Sequence, residues 1–79
     1  MIGAINDDDA NNIVNEAFRR LGIRKQKDKD RLRIATAGYS ESKKPREIIA
    51  YSLEKNYANN STAFSQEIEK IIIERMRKK

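Results

Sequence analysis

At 79 residues the chain is one small domain, a size at which folding buries only about 60–65% of the surface an unfolded chain exposes. It has no Cys and no His, which excludes disulfide staples and thiolate zinc sites, removes the usual general base, and leaves oligomerisation as the remaining route to stability. The net charge of +5 is uneven, with −4 in residues 1–18 and +9 in the rest, and a basic body of this density suits a polyanion, nucleic acid above all.

Residues 7–21 predict a helix. Asn6 or Asp7 can cap it, Asp7, Asp8 and Asp9 suit the positive end of its dipole, and Gly22 is placed to end it. Ala10, Ile13, Val14, Ala17, Phe18 and Leu21 recur at steps of three and four, giving one apolar stripe. Two coverings are open for that stripe: the protein's own dimer, or a partner protein docked on Ile13, Val14, Ala17, Phe18 and Leu21. Residues 24–30 contain no apolar side chain and read as a linker whose lysines and arginine can also follow a phosphate backbone. Residues 1–28 are therefore expected to form an acidic helix and basic linker, and residues 29–79 a separate basic domain.

Residues 31–37 alternate. Leu32, Ile34 and Thr36 fall on one side of a strand, and Arg31, Arg33, Ala35 and Ala37 on the other. Turn-forming residues 38–42 follow, and Pro45 marks the first turn of a helix over residues 44–55 with Ile48, Ile49 and Leu53 as its buried stripe. Residues 57–60 make a turn, because Asn tolerates left-handed backbone. Ser61 or Thr62 then caps a last helix in which Phe64, Ile68, Ile71, Ile72 and Met76 share a face, with Arg75, Arg77, Lys78 and Lys79 at its end.

The fold class expected is mainly α with one short β-strand. The motifs Arg31-Leu-Arg-Ile-Ala, Arg46-Glu-Ile-Ile-Ala-Tyr-Ser-Leu-Glu and Asn60-Ser-Thr-Ala-Phe-Ser-Gln-Glu-Ile-Glu-Lys-Ile-Ile together resemble the ribbon-helix-helix family of DNA-binding proteins over residues 29–77. The resemblance implies an intertwined homodimer with a core of Leu32, Ile34, Ile48, Ile49, Leu53, Phe64, Ile68, Ile71, Ile72 and Met76. It also implies that paired strands enter the major groove of double-stranded DNA, where Arg31 and Arg33 reach guanine edges and Ala35 a thymine methyl. Asn60, Ser61 and Thr62 at a helix start, with Lys29, Lys43 and Lys44, would hold phosphates.

The function expected is a homodimeric, sequence-specific transcriptional repressor or plasmid partition protein, with dimers side by side on repeated sites. The 7–21 helix would meet a partition ATPase, or a toxin if the chain is an antitoxin. The competing class is a helical interaction module or inhibitor that never touches DNA. An enzyme is not expected, nor a cofactor or a metal, because the Asp7 to Asp9 run is accounted for by the helix dipole. No apolar run exceeds Ile71, Ile72 and Ile73, and the first five residues lack the basic start of a signal peptide. The expected location is the cytoplasm, on the nucleoid or a plasmid.

Overall fold

Asn6 opens the first helix: its Oδ1 accepts the Asp9 N–H at 2.7 Å, and the three aspartates of the first turn face the positive end of the dipole. The computed structural model describes residues 6–77, which form α1 (Asp7–Arg20), α2 (Gln26–Ala37), α3 (Pro45–Tyr57) and α4 (Ala63–Arg77), with a short 3-10 turn at Tyr39–Glu41. Gly22, at φ 72°, closes α1. The Ile23 N–H reaches the Phe18 carbonyl at 2.9 Å and the Gly22 N–H that of Arg19 at 3.1 Å, satisfying carbonyls the helix would leave open. Asn59 does the same for α3 at φ 61°, with the Asn60 N–H on the Lys55 carbonyl at 2.8 Å. α4 starts on a reciprocal cap: Thr62 Oγ1 accepts the Ser65 N–H at 3.0 Å, and Ser65 Oγ accepts the Thr62 N–H at 2.7 Å.

The alternating segment is not a strand. Residues 31–37 belong to α2, and no strand or sheet occurs among the described residues, so the ribbon-helix-helix architecture expected from the sequence is overturned. Two physical reasons account for this. A lone strand has no ladder to join within the chain, and Arg31, Leu32, Arg33, Ala35 and Ala37 are all good helix formers. The true period is helical: Lys29, Leu32, Arg33, Thr36 and Ala37 turn inward, while Lys27, Arg31, Ile34 and Ala35 turn outward. The presumed linker is likewise part of α2 from Gln26 onward, and the domain boundary expected at residue 28 falls inside that helix.

Ion pairs link the other three helices. Arg20 lies 3.5 Å from Glu67 and 2.6 Å from Glu74, and Asp9 lies 3.9 Å from Arg75, so α1 and α4 run antiparallel. Asp7 sits 2.9 Å from Arg46, setting the starts of α1 and α3 together. The core between them holds Ile13, Val14, Ala17 and Phe18 of α1, Ile48 and Ile49 of α3, and Phe64, Ile68 and Ile71 of α4. At its centre the Phe18 and Phe64 rings stack at 4.9 Å with 15° between planes. The α1 stripe is thus covered by the chain itself, with Leu21 half-buried at its end.

This closure also corrects the intertwined dimer core. Ile48, Ile49, Phe64, Ile68 and Ile71 are buried within one chain, Leu32 and Ile72 are half-buried, and Ile34, Leu53 and Met76 stay exposed at 40%, 37% and 57%. One copy of the chain thus buries half of the ten side chains that two were expected to bury, because α1 supplies a face for them.

Candidate nucleic-acid interface

Positive charge is concentrated in one stretch. Residues 24–46 carry nine Lys and Arg against three Asp and Glu, a net +6 in a chain of net +5. Three of those cations are paired: Arg33 with Asp30 at 3.2 Å, Lys44 with Glu41 at 2.9 Å, and Arg46 with Asp7 at 2.9 Å. The hydrogen bond and charge of Glu41 hold the exposed Lys44 ammonium above its ordinary pKa. Arg24, Lys25, Lys27, Arg31 and Lys43 are exposed and make no ion pair among the described residues.

α2 organises these groups. Lys27, Arg31 and Ala35 follow one another at four-residue steps, so they stand one above the next on the outward face, with Arg24 and Lys25 leading into it. Arg31 and Ala35, expected to look outward from a strand, therefore look outward from a helix. Arg33 does not join them. Its guanidinium lies 5.0 Å from the centroid of the Phe18 ring with its side chain 20% exposed, and Lys29 Nζ lies 5.9 Å from the same centroid. Arg33 is a lid on the core, its stem filling an inward position that the sequence pattern would give to an aliphatic residue.

That placement separates two arginines that look equivalent in the sequence. Arg33→Ala is expected to lower stability by about 1–2 kcal/mol through the lost ring stacking, while Arg31→Ala stays within about 0.5 kcal/mol of the parent; paired urea titrations followed by circular dichroism check this.

Beside the α2 ridge runs a groove of about 510 Å³, whose walls include Gln26, Asp30 and Ile34 of α2, Tyr39 and Lys43, over a floor with Val14 and Pro45. Asp30 Oδ1 accepts from Gln26 Nε2 at 2.8 Å and from Arg33 at 3.2 Å. Tyr39 stands at the rim, 83% exposed. The pattern of the sequence did not point to it, although an aromatic two residues from the nearest predicted element and close to two lysines was a readable signal.

The remaining phosphate candidates lie elsewhere. Asn60, Ser61 and Thr62 precede α4, beyond the far end of α3 from Lys43 and Lys44, and a helix of that length spans about 20 Å. Their groups are already engaged: the Asn60 N–H donates to the Lys55 carbonyl, Ser61 Oγ accepts from Gln66 Nε2 at 2.8 Å, and Thr62 Oγ1 accepts the Ser65 N–H.

A second charged cluster is structural. Arg20 bonds to Glu74, Glu16 and Glu67, which raise its pKa still further above its ordinary value and tie α1 to α4. No sequence spacing announces a bond between residues so far apart. Among the described residues no group of three or more metal-ligating side chains comes together, and no helix is long and apolar enough to cross a membrane. No family model, curated protein or solved structure matches the chain.

Proposed function

We propose that the chain is a small DNA-binding protein that engages duplex DNA through the outward face of α2. The observation that carries this reading is the net +6 of residues 24–46, with five exposed cations that no described carboxylate neutralises. A major groove admits an α-helix. In such a complex Arg24, Lys25, Lys27 and Lys43 meet phosphates, Arg31 donates two hydrogen bonds to a guanine edge, and Ala35 touches a thymine methyl one turn further on. An interaction module that recognises an acidic protein surface would use the same charges, and DNA titrations separate the two.

Four phosphate contacts give a slope of log affinity on log salt of about −3 to −4, a loss of roughly a hundred-fold between 50 and 200 mM. Fluorescence anisotropy with a labelled duplex measures it. The double variant Lys27→Ala with Arg31→Ala is expected to flatten the slope by about 1, through Lys27, and to relax sequence preference by about 1–3 kcal/mol at one base pair, through Arg31. Affinity that ignores salt, or a double variant that binds as the parent does, would sink the reading.

A further inference from the structure

The groove beside α2 has a composition that a duplex leaves unused. Its floor includes the apolar Val14 and Pro45, Ile34 forms part of a wall at 40% exposure, and Tyr39 holds an aromatic ring in solvent at its rim. Its volume of about 510 Å³ lies within the range of pockets that enclose small organic groups. Among its lining groups Asp30 has engaged only Oδ1, and the Gln26 side chain is engaged only through Nε2. That leaves acceptor oxygens of both residues for the amino edge of a planar heterocycle. Lys43, unpaired and exposed, lines the same groove, and the cationic ridge of Lys27 and Arg31 flanks it on α2.

A slot of mixed lining, which also includes Asn11, Arg33 and Ser42, with an exposed aromatic rim, hydrogen-bond acceptors on one wall and cations along its margin, matches an unstacked nucleobase followed by its phosphates. We infer that this groove receives an unpaired base, so that the preferred ligand is DNA with single-stranded character beside the duplex, Tyr39 being the stacking platform. Gln26 and Asp30 accept hydrogen bonds from the exocyclic amine of the base, and Lys43 holds the adjoining phosphate. This rests on the DNA-binding reading of α2 and adds to it a ligand class and a second set of residues. Thymine, with no exocyclic amine, makes the poorest occupant.

The test compares three labelled probes of one sequence: a blunt duplex, the same duplex with a five-nucleotide cytosine tail, and that duplex with a thymine tail. The cytosine-tailed probe is expected to bind more tightly than the blunt one, with the thymine tail between them. Tyr39→Ala is expected to remove the advantage of the tail, roughly 5- to 100-fold, while Tyr39→Phe keeps it. The protein has no Trp and three Tyr, so the part of the tail-induced quenching of tyrosine emission that is lost in Tyr39→Phe, where Tyr51 and Tyr57 still emit, gives a second readout. Circular dichroism checks that each variant folds. Equal binding of blunt and tailed probes, with the salt dependence intact, overturns the pocket and leaves duplex binding standing. Salt-independent or absent binding to all three probes overturns both. A fourth probe carries the cytosine tail as RNA, and its preference over the DNA tail would overturn the assignment to DNA.

Discussion

Replacing Phe18 by alanine is expected to cost about 3–5 kcal/mol, the range for emptying a buried aromatic site. Small domains have only about 5–15 kcal/mol to lose, so the variant should be partly unfolded at room temperature. Phe18 is 1% exposed and stacks on Phe64, and it also carries Arg33 and Lys29 on its ring. Its loss therefore opens a cavity at the centre and unseats the inner face of α2. Phe18→Leu should restore most of the stability but not the cation contacts. Urea titrations at 222 nm measure both variants, and an alanine variant within about 1 kcal/mol of the parent would show that this ring is not the centre of the core.

Asn56→Ala is expected to cost about 2–3 kcal/mol, because it strips partners from polar groups buried between α3 and α4. Asn56 Nδ2 donates to the Ser65 carbonyl at 3.0 Å and to Glu69 at 2.7 Å, while its Oδ1 accepts from Ser65 Oγ at 2.7 Å. Ser65 is itself fully buried and completes the cap on Thr62. Removing both side chains should cost less than the sum of the two single losses, since each single change already breaks the same Ser65–Asn56 hydrogen bond, while Ser65 Oγ keeps the Thr62 carbonyl at 3.0 Å as a second acceptor. A double-mutant cycle with Ser65→Ala measures that coupling, expected at about 1–2 kcal/mol. Strict additivity would mean that the two side chains stabilise the turn independently.

Three of the helices were legible because their ends carry their own chemistry. Asn6 and Gly22 bracket α1, Pro45 opens α3, and an asparagine closes it with a left-handed backbone that few other residues adopt readily. α2 was not legible, for a physical reason. Its first five residues, Gln26 to Asp30, bury no apolar side chain, and within residues 31–37 an arginine occupies an inward position by lying on an aromatic ring of another helix. The visible remainder, Leu32 and Ile34, alternates by accident. The resemblance built on that alternation also supplied the dimer, because without α1 in the core the later helices have nothing to cover them.

The outward exposure of Arg31 and Ala35 was legible because it is common to a strand and to a helix, although their neighbours differ. Arg33 was lost to the candidate interface, Lys27 joined it, and Tyr39 entered from a turn where no periodicity operates. The contacts of Arg20 with Glu67 and Glu74 were beyond reach, since their spacing is set by how helices pack and by nothing local.

The stacking of Phe18 on Phe64 joins residues forty-six positions apart, and that distance is also a time. At about 5–20 residues per second of synthesis, roughly 2–9 s pass between the two rings leaving the peptidyl-transferase centre. Throughout that interval the amphipathic face of α1 lacks its α4 mate, and α2 and α3 are the only helices made that can cover part of it. A nascent chain should therefore complete its core only once α4 has been made, with α1 open to holdase chaperones beforehand.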